Sequence, residues 1–238
     1  MTRFLQSVQE NLTFFLTCLG IFAVLVLIAK IAEWLIKKPR RLSPARSISY
    51  TAMFAAIASV LMLLEIPLFF APPFYKIDLS ELSVLICAFY LGPVSGVICE
   101  LLKVLLKVLM KGTSTAFVGD FANFFVGCSL VLPASIIYHC KKSRKSAIAG
   151  MIAGTLVMTV FGSFFNAIYL LPRFSELYGM PLEAIVGMGT EVNSAIHSVS
   201  TLVLFAVVPF NLLKGVVVSV LTLLLYKRVE KLFFRKEA

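Results

Sequence analysis

The residues of this sequence best able to do chemistry are charged and amide side chains set inside long apolar runs. Glu100, Lys103 and Lys107 lie in GPVSGVICELLKVLLKVLMK. Their i, i+3, i+7 spacing puts them on one face of a helix. Asn166 sits deep in GTLVMTVFGSFFNAIYLLP, and Asn211 and Lys214 follow Pro209 in VVPFNLLKGVVVS. A charge at membrane depth costs ~2.5–3.5 kcal/mol on insertion scales, so such groups mark a site unless they merely neutralise one another. Glu100 and Lys103 could do that, and Lys107 could snorkel to the surface near Lys111. Lys214 is harder to dismiss, because apolar runs flank it on both sides. A ligand pocket and a proton path are the two functional readings. A proton path favours a chain of carboxylates and histidines, and only Glu100 is an acid deep in a run. The pocket is preferred.

Polar residues also gather between the runs. Tyr75, Lys76 and Asp78 follow the Pro72–Pro73 pair, KGTST supplies hydroxyls, and VGDFANFF carries Asp120 and Asn123 about one turn apart. Together they predict a polar mouth above a pocket lined by Asn166, Asn211 and Lys214. Phe74, Phe124, Phe125, Phe165 and Phe210 are near these segments in sequence. They could pack as core, or stack on a flat aromatic ligand. The five cysteines form no CxxC pair, and His139 and His197 stand far apart, so small apolar packing is expected and a metal site is not. There is no GxxxxGK-Ser/Thr phosphate loop, no GxSxG and no HExxH, which argues against an ATPase or an intramembrane hydrolase.

The elements that must position these residues are membrane helices. The chain is 60% apolar and 14% charged, against ~45–50% and ~25% in soluble domains. Its runs are continuous rather than alternating, which selects helices over a barrel. Spans are expected at 12–36, 47–66, 79–91, 94–110, 117–139, 147–171 and 196–226, with a longer polar stretch at 173–193. The sixth should end at Pro172, and Pro209 should kink or break the last. The net charge of +10 is concentrated in KKPRR, KKSRK and KRVEKLFFRK, each at the end of a span. This reads as a positive-inside pattern rather than a nucleic-acid surface. Alternating crossings then put all three clusters on the cytoplasmic side, with the N-terminus outside and the C-terminus inside. On the second span Ala52, Ala56 and Ser59 are small, a spacing that permits close helix approach.

Taken in order, PPFYKIDLSELS, LGPVSGVICELLKVL, KGTSTAFVGDFANFFVG, GTLVMTVFGSFFNAIYLLP and VVPFNLLKGVVVS resemble the riboflavin-specific S component of energy-coupling factor (ECF) transporters over roughly residues 47–228. The resemblance implies an all-α polytopic bundle: a six-helix S-component core at 47–228, preceded by an additional transmembrane helix and basic linker at 1–46 and followed by a basic cytoplasmic tail at 229–238. It implies a multi-pass protein of the bacterial cell membrane that binds riboflavin near the outer face and is not itself an enzyme. Riboflavin is cargo, and no cofactor or metal is expected. A transmembrane coupling subunit and two ABC-type ATPases would drive delivery, by tilting of the bound S component. Carried over motif by motif, Asn166, Asn211 and Lys214 are the first candidates for ligand contact. Asp78, Glu100, Tyr75 and Asn123 are further candidates, and Ala52 and Ala56 would face the coupling subunit. Asp120 stands where the family pattern has a glutamate. An S component for another small vitamin and a stand-alone secondary transporter are the alternatives, since a fold does not fix a ligand.

Overall fold

The computed structural model describes residues 2–36, 42–113, 115 and 117–233. The KKPRR cluster and the last five residues fall outside that range. A long first helix, α1 (Thr2–Leu35), precedes α2 (Pro44–Leu63), α3 (Ser80–Leu91), α4 (Pro93–Lys111), α5 (Val118–Cys140) and α6 (Arg144–Phe165). Then come α7 (Leu171–Tyr178), α8 (Leu182–Val192), α9 (Val199–Leu202) and α10 (Val208–Phe233). Among the described residues, five helical stretches are long and apolar enough to cross a bilayer, and Ser80–Leu91 is a shorter apolar helix. The protein is a multi-pass membrane helix bundle, with a six-helix core and α1 added at its N-terminal side.

Local chemistry starts the helices. Ser43 and Ser143 accept hydrogen bonds from Arg46 N (3.4 Å) and Ser146 N (3.1 Å), and Pro44 and Pro93 stand where helix starts need no N–H. Gly92, at φ 114°, turns the chain tightly from α3 into α4. The KGTST hydroxyls are used in the same way. Thr113 Oγ1 accepts from Phe117 N at 2.9 Å, and Thr115 Oγ1 from Gly119 N at 3.0 Å. The hydroxyls of Thr113 and Thr115, expected at a polar mouth, hold the entry to α5.

Packing follows the small residues. Gly150 and Gly154 of α6 lie so close to α5 that a Cβ added at the first would sit 2.6 Å from Ala134 O, and one added at the second would collide with Leu130 O. This is the close approach that small residues four apart permit in a membrane. Ala52 and Ala56, by contrast, are exposed on α2, while Ser59, on the same face by spacing, is buried. The main core joins α2, α3, α5, α6 and α10 through Phe54, Leu85, Phe89, Leu130, Met158 and Val218. α1 packs on α4 and α5, with Cys18 and Ala29 buried beside Val97, Val104, Phe124 and Cys128. Glu33 of α1 also accepts from Val94 N at 3.2 Å, which caps α4 where Gly92 supplies no side chain.

The last two expected spans depart from the prediction at their prolines. The sixth does not end at Pro172. It passes through a π turn at Asn166–Leu170 and continues as α7. The last helix begins at Val199 rather than 196, is not broken at Pro209, and passes through a second π turn at Val203–Val207 before running on to Phe233. A widened turn accommodates a residue that cannot donate an N–H. The 173–193 segment is not an irregular polar loop either. It holds α7 and α8, and α8 buries Ile185, Val186 and Gly189 against the cluster of Tyr75, Phe174, Ile196 and Leu202. α2 stops at Leu63, short of the expected 66, because Ile66–Pro67 pairs antiparallel with Lys76–Ile77 in a small hairpin.

Candidate functional site

Three elements bring the site together: the hairpin with the start of α3, the α6 turn that opens at Asn166, and the start of α10. Tyr75 Oη donates to Asn166 Oδ1 at 2.8 Å, and Asn166 Nδ2 donates to Gly162 O at 2.8 Å. Both side chains are buried. Phe210 stacks obliquely on Tyr75, with ring centroids 5.4 Å apart, and Phe74 packs on both Tyr75 and Phe174. The next residue, Asn211, is 2% exposed and lies over Gly162, where a Cβ would come within 2.9 Å of its Nδ2. That glycine is what lets α10 bring Asn211 up to α6.

One turn further along α10, Lys214 lies 3.0 Å from Asp78 Oδ2 and 3.0 Å from Glu81 Oε1. Asp78 also accepts from Ser80 N (2.9 Å) and Ser80 Oγ. Burial resists ionisation of Asp78, but Lys214, Lys103 and Ser80 outweigh it and hold the carboxyl below the usual carboxylate range. Glu81 then links to Lys103 at 3.3 Å, and Lys103 to Glu100 and to Asn123 Oδ1 at 3.2 Å. Lys107 pairs with Asp120 at 2.6 Å. Glu100 and Lys103 therefore do neutralise each other, as they could on sequence alone. Lys107, instead of snorkelling, turns inward with only 11% of its side chain exposed.

The structure thus gathers Tyr75, Asp78, Asn166, Asn211 and Lys214 in one buried cluster and joins Glu100 and Asn123 to it through Lys103. Sequence reading missed Glu81, which is 1% exposed and touches both Lys103 and Lys214. Its signal was an acid in the first turn of a short apolar helix. Of the five phenylalanines, Phe74 and Phe210 face this cluster. Phe125 and Phe165 pack on each other at 6.1 Å, and Phe124 turns towards Phe22 of α1.

The cluster is not fully satisfied from within. Among the described residues, Asn211 Nδ2 and Glu100 Oε2 of the cluster, and Asp120 Oδ2 of the separate Lys107 pair, are buried with no hydrogen-bond partner. Each such group costs about 1–3 kcal/mol. A donor amide next to the Tyr75–Phe210 rings, with acceptor oxygens further along the charged groups, suits a flat ligand that carries carbonyls and hydroxyls. Outside the cluster, Glu65 accepts from Lys76 (3.0 Å) and Lys111 (3.1 Å), which ties the hairpin to the end of α4. A 360 Å³ cavity lies elsewhere, between α1, α2, the end of α3 and α4, with Glu33, Ala52, Tyr90 and Leu102 on its walls. No group of three or more His, Cys, Asp or Glu among the described residues could hold a metal ion.

Comparison with known proteins agrees with this architecture. The family model described as ECF transporter, substrate-specific component, matches residues 46–226. The riboflavin transporter RibU of Staphylococcus aureus is 38% identical over 178 residues, covering 75% of this chain and 87% of that protein. The riboflavin transporter FmnP of Bacillus subtilis is 29% identical over 180 residues, covering 75% and 89%. A solved structure of the S component of a bacterial ECF transporter superposes with a TM-score of 0.63 at 35% identity, over 81% of this chain and 100% of that one. α1 precedes the stretch that the family model matches.

Proposed function

The chain belongs to the family of ECF transporter substrate-specific components, and we propose that it is the subunit that captures riboflavin at the outer face of the cell membrane. The observation that carries this reading is the buried, partnerless Nδ2 of Asn211 beside Lys214, Asn166 and the Tyr75–Phe210 pair. An isoalloxazine ring offers carbonyls to a donor amide and an ammonium, and a flat face to aromatic rings. A ribityl chain offers hydroxyls that can donate to Glu100 Oε2 and Asp120 Oδ2. Asn166, Asn211 and Lys214 are proposed as principal contacts. Tyr75, Asp78, Glu100 and Asn123 would orient and neutralise them.

Delivery requires partners: a transmembrane coupling subunit and two ABC-type ATPases. Ala52 and Ala56, small and exposed on α2, are proposed to meet the coupling subunit, against which the loaded bundle would tilt. On this reading residues 47–228 form the S-component unit, 1–46 the added helix and linker, and 229–238 the basic end. The C-terminus is cytoplasmic and the N-terminus outside. The role is binding and transport rather than catalysis.

Uptake tests it. Cells unable to make riboflavin, expressing this chain with the coupling subunit and ATPases, should accumulate labelled riboflavin. Uptake should stop on ATP depletion and survive a proton ionophore. The reverse pattern would identify a secondary transporter and reject the proposal.

A further inference from the structure

The two π turns of the fold share one geometry. Each starts six residues ahead of a proline: Asn166 ahead of Pro172, and Val203 ahead of Pro209. In each, the residue before the proline donates its N–H five residues back, Leu171 to Asn166 O and Val208 to Val203 O, where an α-helix bonds four back. The cause is local. A proline cannot donate, and its ring collides with the carbonyl four residues behind it. Widening the turn in front of the ring relieves the collision. The two widened turns also lie in contact with each other.

A π turn amounts to one residue inserted into an α-helix, which rotates the helix before it against the helix after it by about 100°. Gly162 and Leu171 are nine residues apart, as are Leu202 and Asn211. At about 100° per residue, nine steps put the two ends of each pair on opposite faces of an α-helix. All four are nevertheless buried. The exposed residues of these stretches, Phe164 and Ile168 in one and Leu204 and Phe205 in the other, face outward. The inserted residue therefore keeps Leu202 on the buried side together with Asn211, and keeps Leu171 there together with Gly162, on which Asn211 rests.

We propose that Pro172 and Pro209 are positioning residues of the ligand site. Each holds the π turn in front of it, and the two turns set the rotational register in which the Tyr75–Asn166 pair and the wall of Phe174 and Leu202 meet Asn211 and Lys214. The ligand readout of this proposal rests on the riboflavin reading above; the register itself rests on the fold.

The test uses the full chain in detergent, with Cys140→Ser to remove the exposed thiol. Pro209→Ala permits four-back bonding across 203–207 and turns Leu202 away. Riboflavin affinity should weaken about tenfold. Deleting the outward-facing Leu204 in the Pro209→Ala background removes the inserted residue. It should bring affinity back to within about threefold of the parent, because the register returns without the ring. Lost packing of the ring would not be repaired by shortening the helix on its outer side. Pro172→Ala, with and without deletion of Ile168, is the parallel pair. A ligand-free readout accompanies them: a thiol introduced by Leu202→Cys should resist maleimide in the parent, react faster in Pro209→Ala, and resist again after the deletion. Unchanged affinity and unchanged labelling in the proline variants, or no recovery on deletion, would overturn the proposal. If the parent binds no riboflavin, the riboflavin reading fails, and the labelling pattern still decides the register.

Discussion

Replacing Lys214 by methionine removes the cation that, among the described residues, touches both Asp78 and Glu81. Lys214 Nζ is 3.0 Å from a carboxylate oxygen of each, and all three side chains are nearly inaccessible. At an effective dielectric of ~20, each contact at this distance is an attraction of about 5–6 kcal/mol before desolvation is counted. Desolvation cancels much of that in the intact network. It cannot do so once the lysine is gone, since Asp78, Glu81 and Glu100, all buried, are then left with Lys103 alone in the network. Breaking a buried pair from one side costs about 3–5 kcal/mol. For a chain of this size that lowers the melting temperature by about 6–20 °C. The assay is thermal unfolding of purified protein in detergent, for the single variant and for Lys214→Met combined with Asp78→Asn. The double variant should recover about half of the lost stability, because one stranded carboxylate has become a neutral amide. It should not recover riboflavin affinity, which needs the ammonium itself. A single variant that melts within about 2 °C of wild type would refute the network as drawn.

Other consequences come from the same geometry. A Cβ at Gly127 would overlap Glu100 Oε1, so Gly127→Ala should cost about 1–3 kcal/mol in thermal unfolding and weaken riboflavin binding by displacing Glu100. Glu33→Ala removes the cap that α1 gives to α4, and should lower the melting temperature by about 2–4 °C without altering riboflavin affinity. Partial burial works against ionisation of Glu65, but Lys76 and Lys111 outweigh it and hold the carboxyl below its usual value. The hold of the hairpin on α4 is then present above the unfolded value near ~4.3 and is lost as pH falls through the lower folded one. Riboflavin release measured by stopped-flow should be flat from about pH 5 to 8 and accelerate below about pH 4, and Glu65→Gln should release faster throughout with no acid limb.

Much of this fold was legible because a bilayer leaves a chain few options. The apolar runs located the five stretches that are long and apolar enough to cross and the shorter helix Ser80–Leu91, while α4 (Pro93–Lys111) forms where a helix was expected although its charges keep it from reading as a plain apolar span. Asn166, Asn211 and Lys214 could be picked out because polar groups in apolar runs need a reason. Their partners could not. Glu81 stands in the polar-looking start SELS, and only the meeting of α3, α4 and α10 shows that it bridges two lysines. The π turns were hidden for a related reason. A proline announces that a helix must change, but whether the chain kinks, breaks or widens depends on what lies across from it. The widening here keeps Leu202 and Asn211 on one buried side, a tertiary requirement that no local pattern states. Gly150 and Gly154 did carry a close-packing signal, while Ala52 and Ala56, with the same spacing, stay exposed. Spacing alone does not say which small-residue pair is covered within the chain and which stays exposed.

The most direct test is a titration of purified full-length protein with riboflavin, monitored by quenching of flavin fluorescence, beside Asn211→Ala. Wild-type protein should quench stoichiometrically at nanomolar to micromolar ligand, and the variant should bind at least about tenfold more weakly, because the donor amide beside Lys214 is gone. Absence of quenching by correctly folded wild-type protein, or an Asn211→Ala variant that binds as tightly as wild type, would contradict the account.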